Sequence, residues 1–317
     1  MQESKLFQPS AKVICDSISP WGKRLTTLEV TLHRYALAEM NTHRMFSRNS
    51  ASSRAIPVSK IIDKVKNIPA EPLYWGKNQT GMQAYGELTG DELEAAQIEW
   101  RAARADAIDS AVALSEVGLH KQSTNRLLEP HMWTTIILSS TEFDNFFHQR
   151  CHHAAMPEIR ISAEAIRDAM ASSTPVFVPE GGWHVPYLQP DEMELDIETQ
   201  KRICIARCAR VSYLTHDGKR DTSKDVELFD KLVARDNPLE PKHLSPLEHI
   251  ATPGFSSGNF KGWTQYRAFF EGNPNGVMGP ILDILNSIDH HAADPAVGNV
   301  ITMVRGMLSE AARQGKI

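Results

Sequence analysis

The chain has 317 residues, 41% of them hydrophobic, and 34 Lys and Arg against 39 Asp and Glu give a formal net charge of -5. That apolar share excludes disorder over most of the length, and the slight acidity argues against a general coat for duplex nucleic acid. No apolar run approaches the roughly 18 residues a membrane helix needs, the first residues carry no secretory signal, and four cysteines (Cys15, Cys151, Cys204, Cys208) are too few for a disulfide scaffold; a soluble cytoplasmic protein is expected.

In chain order, Lys12–Cys15 reads as a short strand, followed by a turn at Ser19-Pro20-Trp21-Gly22. Leu28, Val30 and Leu32 alternate with Thr27, Glu29, Thr31 and His33, the period-2 pattern of a half-buried strand. Tyr35–Met40 suits a short helix, and the polar stretch from Asn41 to Arg54 reads as a loop, as does most of 55–90 with its prolines. Thr89 with Glu92 forms a capping box and opens a helix, whose apolar face is expected at Ile98, Arg101, Ala105, Ile108, Val112, Ser115 and Leu119, with Gly118 as its stop. A second capping box, Ser139 with Glu142, predicts a helix through Phe143, Phe146, Phe147 and Arg150, and Pro157 predicts the first turn of another. Residues 172–193, rich in Pro and Gly, are the linker candidate. Leu195–Val211 reads as a helix running into a strand at Val211–Leu214, and His216–Asp225 as a charged turn. Ile281–Ile288 and Val300–Ala311 are amphipathic pieces of an expected helical C-terminal extension.

The segment from Thr42 to Arg54 holds three arginines, four serines, an asparagine and a histidine in 13 positions. Guanidinium forks match phosphate geometry, and hydroxyls with backbone N–H groups complete an anion cradle, so this loop is the candidate anion site against the plainer reading of a solvated loop. His148, Cys151 and His152 share one helical turn, as do Cys204 and Cys208, but no regular Cys pair accompanies them, and buried thiols with surface histidines is the favoured reading; no metal site is expected. Phe260–Phe270 interleaves aromatic and basic residues; Trp263, Tyr266, Arg267 and Phe270 fall on one helical face, and core or interface packing is favoured over stacking of single-stranded bases.

The spacing His43-Arg44-x-x-Ser47-x-Asn49-x-x-Ser52-x-Arg54 resembles the Arg-His-Arg-x-x-Ser-x-Asn-Glu-x-Ser-x-Arg signature of the flavin-dependent thymidylate synthases. Asn145–Arg150 followed by Ala155–Arg160 is similar to that family's Asn-Phe-Leu-x-x-Arg and Ala-Gln-x-Glu-Ile segment. Ala209–Tyr213 and His243–His249 are similar to its Ala-Arg-Val-x-Tyr and His-x-Ser-x-x-Glu-His blocks. In the family these last two precede the arginine-rich loop; here they follow, so the order is permuted, a change tolerated where termini lie close together at the surface.

The resemblance implies a mixed α/β (α+β) fold over a catalytic domain at 1–271, with residues 272–317 as the extension. It implies transfer of a one-carbon unit from methylenetetrahydrofolate to C5 of dUMP, with FAD as cofactor, NADPH as co-substrate and a homotetramer whose sites lie between subunits. Position by position, Ser52, Arg54 and Arg126 would hold the nucleotide phosphate. Arg150 would face the pyrimidine carbonyl, with Arg150 and Ser52 as the catalytic positions and Glu39 and Ser50 beside the nucleotide. Thr42, His43, Arg44, Ser47, Asn49, Asn145 and His249 would contact the flavin or frame its pocket. This sequence departs from the pattern at Thr42 (Arg in the family), Ser50 (Glu), Ala55 (Tyr), Glu39 (Gln) and Met156 (Gln). Those departures leave two other readings in view: a relative that acts on another nucleotide or leaves a hydroxymethyl group, and a nucleotide- or single-strand-binding protein without catalysis.

Overall fold

The computed structural model describes residues 7–211, 220–233 and 243–270, and near the end of the chain 302–304, 306–307 and 310. A hairpin lies at its centre. β1 (Ser10–Ile18) and β2 (Arg24–His33) run antiparallel, joined by a tight turn in which Gly22 takes φ +75°, a conformation that L side chains rarely adopt. β4 (Trp133–Ser140) pairs antiparallel with the other edge of β2, and β3 (Ser47–Ser50) pairs antiparallel with β4. The short β5 (Val176–Phe177) lies parallel to β1, giving five strands in the order β3-β4-β2-β1-β5.

Being central, β2 is covered on both faces rather than one. Leu28, Val30 and Leu32 join Ile136 and Leu138 under α5 (Asp144–Arg150) and α6 (Pro157–Ala171), where Phe146, Ile159 and Ile166 complete the first core. The opposite face, with Ile137, is covered by Cys204, Ile205 and Cys208 of α7 (Ile197–Arg210) and by Phe229 and Leu232 of α8 (Thr222–Val233). Both cysteines of α7 are thus core residues, and burial pushes their thiols upward in pKa.

Several expectations need correction. The polar stretch 41–54 contains β3, and 55–90 contains the amphipathic α2 (Val58–Asn67), which buries Ile61, Ile62 and Val65 against Ile108, Ala111 and Leu128. α3 (Gly90–Glu116) begins and stops where expected, but the Thr89 side chain makes no capping bond. Its face is also rotated: Ile98, Val112 and Leu119 are exposed, while Ile108 and Ala111 are buried and Trp100 packs on Trp75 and His131. Ser139 is not a cap but a buried residue of β4; the following helix begins at Asp144, with Ser140 Oγ accepting the Glu142 N–H. Pro157 does open its helix.

The segment expected as a linker, 172–193, is packed. It contributes β5, places Trp183, Val185, Tyr187 and Leu188 against the second core, and its His184 forms a bridge to Ala251. Ala251 starts β6 (Ala251–Pro253), which pairs with β7 (Trp263–Gln265). The aromatic stretch 260–270 therefore divides into a strand and the short α9 (Tyr266–Phe270) instead of forming one helical face. Phe260 and Trp263 are core residues, and Tyr266 and Phe270 pack on the second core. The strand expected at Val211–Leu214 falls outside the described residues after Val211, as do the piece at Ile281–Ile288 and the start of the charged turn, 216–219; the end of that turn is instead helical, since α8 begins at Thr222 and includes Asp225. The described part of Val300–Ala311 is helical. Among the described residues no helix is long and apolar enough to cross a membrane.

Candidate active site

The residues singled out from the arginine-rich loop gather around β3 and the turns on either side of it. Before β3, the chain leaves the four-residue α1 (Leu37–Met40) through a turn that Arg48 holds from below, donating from Nη1 to His43 O at 2.8 Å and Met40 O at 3.2 Å. Arg48 is therefore a staple of the loop. His43 in that turn meets α5: Arg150 Nε donates to His43 Nε2 at 2.9 Å, Nη1 to Glu39 Oε2 at 3.1 Å and Nη2 to Thr42 Oγ1 at 3.4 Å. Burial, then the positive charges of Arg150 and Arg48, push the His43 pKa down to about 4, so the ring is neutral near pH 7 and accepts at Nε2. Its other faces rest on Phe146 and Phe46.

Next to this cluster is a cavity of ≈ 480 Å³ whose lining includes Thr42, His43, Arg44, Asn145, Gln149 and Lys261, together with Phe46 and Phe146. On the far side of β3 a second cavity, ≈ 380 Å³, is lined by Asn49, Ser52, Arg54, His120, Gln122, His243 and Ser245. Both volumes lie in the range of small-molecule sites, about 300–1,000 Å³. The turn carrying Ser52 and Arg54 is clamped: Asn125 Nδ2 donates to Ser53 O and Ile56 O, Lys121 Nζ to Ala55 O, and Ser53 Oγ to Glu129 Oε1. Arg54 itself is exposed and has no acidic partner among the described residues, and the same is true of Arg44. An unpaired guanidinium among hydroxyl, amide and imidazole groups is a donor set suited to a phosphate-bearing ligand.

The remaining expectations divide. Glu39, Thr42, His43 and Arg150 are brought together, as are Asn49, Ser52, Arg54 and His249 through its contact with Asn49. Ser47 is buried, bonded to Gln265 and Asn259, and lines neither cavity. Arg126 pairs with Glu129 at 2.7 Å and also lines neither, and Ser50 ends β3 away from both. The five arginines Arg44, Arg48, Arg54, Arg126 and Arg150 thus do not converge on one cavity within the chain. His243 and Ser245 belong to the His243–His249 block but were given no role from sequence; His120, Gln122, Gln149 and Lys261 had no signal there. Among the described residues no three His, Cys, Asp or Glu side chains assemble as a metal set; Cys151 packs on the first core.

No curated protein matches the sequence. Among solved structures, the UMP/dUMP methylase PolB from Streptomyces cacaoi, bound with 5-Br UMP, is similar over 52% of this chain and 89% of its own, at 14% identity and a TM-score of 0.42. The model of the family described as thymidylate synthase complementing protein matches residues 18–176, just over half of the chain and inclusive of both β3 with its flanking turns and the Asn145–Arg160 segment. The chain belongs to the thymidylate synthase complementing protein family.

Proposed function

We propose that the protein is a flavin-dependent enzyme that transfers a one-carbon unit from methylenetetrahydrofolate to C5 of a pyrimidine deoxynucleotide, with dUMP as substrate, dTMP as product and NADPH as reductant. The observation that carries this reading is that the family-matched loop lines both cavities, one through His43, which is bonded to Arg150 beside that cavity, and the other through Arg54, which has no acidic partner among the described residues. Arg54 and Ser52 would bind the phosphate, with Arg126 recruited only if Glu129 releases it. Arg150 would donate to a pyrimidine oxygen and stabilise the negative charge that develops there when C5 becomes nucleophilic. His43, neutral, holds Arg150 at Nε and leaves its Nη atoms for the substrate and Glu39. Asn49, Asn145 and Arg44 supply amide and guanidinium groups that fit a flavin and its phosphates, and His249, buried and lining neither cavity, would act on that pocket through its contact with Asn49. When bound, the flavin supplies the hydride, and the protein's share is orientation and electrostatics. Cavities that open on opposite sides of β3 are consistent with sites completed across a homotetramer.

Glu39 favours a second reading in which another pyrimidine nucleotide is accepted. Its carboxylate, bound to Arg150, only accepts hydrogen bonds, where a neutral amide could also donate. One experiment addresses both: incubation with FAD, NADPH, methylenetetrahydrofolate and either dUMP or dCMP, with the nucleotide product weighed by mass spectrometry. A gain of one methyl group on dUMP is expected. A hydroxymethyl product or a dCMP product would replace the first reading with the second, and a protein that takes up no FAD and alters neither nucleotide would overturn both.

A further inference from the structure

The second face of the central sheet carries a file of polar side chains sealed from water. Ser17, Thr27, Ser139, His184 and His249 are each at most 2% exposed, and Asn49 is 7% exposed. They bond end to end: His184 Nδ1 to Ser17 Oγ at 2.7 Å, His184 Nε2 to Thr27 Oγ1 at 2.8 Å, Thr27 Oγ1 to Ser139 Oγ at 2.6 Å, and Ser139 Oγ to His249 Nδ1 at 2.8 Å. Strand register sets the middle link, since Thr27 and Ser139 are direct cross-strand partners. His249 Nε2 then lies 3.1 Å from the Asn49 amide.

Each hydroxyl has one proton to give, so the donors must all point the same way along the file. Asn49 fixes which way. The amide atom facing His249 Nε2 also faces the backbone oxygens of Arg48 at 3.1 Å and Ser245 at 3.2 Å, so it must be the nitrogen. A protonated Nε2 would set donor against donor. His249 therefore accepts at Nε2 and carries its proton on Nδ1; Ser139 accepts that proton and donates to Thr27, Thr27 donates to His184 Nε2, and His184 Nδ1 donates to Ser17. The Asn49 oxygen is left on the side of Ser245 Oγ, where Asn49 lines the cavity with Ser52 and Arg54.

We propose that His184, acting through Thr27 and Ser139, is a positioning residue that holds His249 in its Nδ1–H tautomer from the other end of the file, so that the bare Nε2 joins the Arg48 and Ser245 carbonyls in keeping the Asn49 nitrogen turned inward and its carbonyl oxygen presented to the cavity as an acceptor for a ring N–H of the bound heterocycle. The ligand half rests on the flavin-binding reading above; the relay does not. His184 lies in the segment 172–193, outside the family-matched span, and touches neither cavity.

The test uses the whole protein with 15N-labelled histidine and compares Thr27→Val, which removes the central hydroxyl at nearly constant shape, with Thr27→Ser, which keeps it. In the wild type and in Thr27→Ser, His249 is expected to show a protonated Nδ1 and a bare Nε2. In Thr27→Val the two tautomers should mix, and the Asn49 side-chain amide protons should lose their protection from exchange. A wild-type His249 protonated at Nε2 would overturn the relay, as would a folded Thr27→Val protein with an unchanged ring pattern. FAD as probe should bind about fivefold more weakly to Thr27→Val than to Thr27→Ser, about 1 kcal/mol. If no form binds FAD, the cofactor reading fails while the ring nitrogens still decide the relay.

Discussion

Arg150 and Glu39 form an ion pair of 3.1 Å between the last turn of α5 and the short helix before the arginine-rich loop, on the same guanidinium whose Nε is held by His43. On the proposed reading, the pair would set a carboxylate beside the guanidinium that an incoming pyrimidine meets. Both side chains are partly exposed, so Glu39→Gln should change stability by no more than about 1 kcal/mol. It should instead shift nucleotide preference toward dUMP over dCMP by about fivefold, because the amide no longer competes as an anion for Arg150 or favours an amino group on the base. Calorimetric titration with both nucleotides measures the ratio; an unchanged ratio would remove Glu39 from the specificity argument.

Arg54 and Arg126 were expected to act alike on the phosphate, and the structure separates them. Arg54 lines a cavity with no acidic partner among the described residues, whereas Arg126 is engaged by Glu129. Arg54→Ala should leave the melting temperature nearly unchanged and weaken nucleotide binding by at least tenfold, in line with the roughly 1.5–3 kcal/mol of a charged hydrogen bond. Arg126→Ala should cost less than threefold. Equal losses in both variants would show that Glu129 releases Arg126 when the ligand arrives.

How far these relationships could be read in the sequence depends on whether their signal is local. The alternation of Leu28, Val30 and Leu32 and the helix start at Pro157 are local and were legible. The pairing of β4 was not, because Ser139 and Glu142 imitate a capping box while the real partners of Ser139 are Thr27 and His249, 112 and 110 residues away. α2 was obscured by the prolines around it. Motif resemblance assigned Glu39, His43 and Arg150 to one site region, but their direct contact was not legible, as no local pattern joins residues 111 apart. His184 carried no signal at all, since its role arises from hydrogen bonds across 157 and 167 residues.

Asp225 lies fully buried on α8, where its Oδ2 accepts from Arg207 Nε at 3.1 Å and its Oδ1 forms an ion pair with Arg210 Nη2 at 2.8 Å, both arginines being on α7, while Arg207 also holds Glu192. This network ties the two helices of the second core to the 3-10 turn at Pro190–Glu192. Asp225→Asn keeps the volume but leaves Arg210 without its carboxylate, and should cost about 3 kcal/mol in urea unfolding. The exposed pair of Lys224 with Asp221 is the control, and Asp221→Asn should stay within about 0.5 kcal/mol. A small loss at Asp225 would mean that the second core is held by its apolar contacts alone.

Burial drives His184 and His249 down to about pKa 3, the former against the pull of Asp16 and with the push of His249, and His43 to about 4. An unfolded histidine titrates near 6.5, so below that pH the unfolded chain binds protons that the folded one refuses. Stability is therefore intact above about pH 6.5 and falls as the pH is lowered toward 3–4. Carboxylates whose pKa is depressed, such as Asp16, lose their contribution only below about pH 4 and leave the window from 6.5 to 5 to the histidines. Over that window each fully buried ring should cost roughly 2 kcal/mol, at about 1.4 kcal/mol per pH unit. Urea unfolding at pH 7, 6 and 5 measures the slope, and His249→Gln should reduce it by one ring's share even where its stability at pH 7 is lower. His184→Gln should do the same. If both variants keep the wild-type slope, the rings are charged in the folded protein and the neutral hydrogen-bond file through the sheet cannot exist.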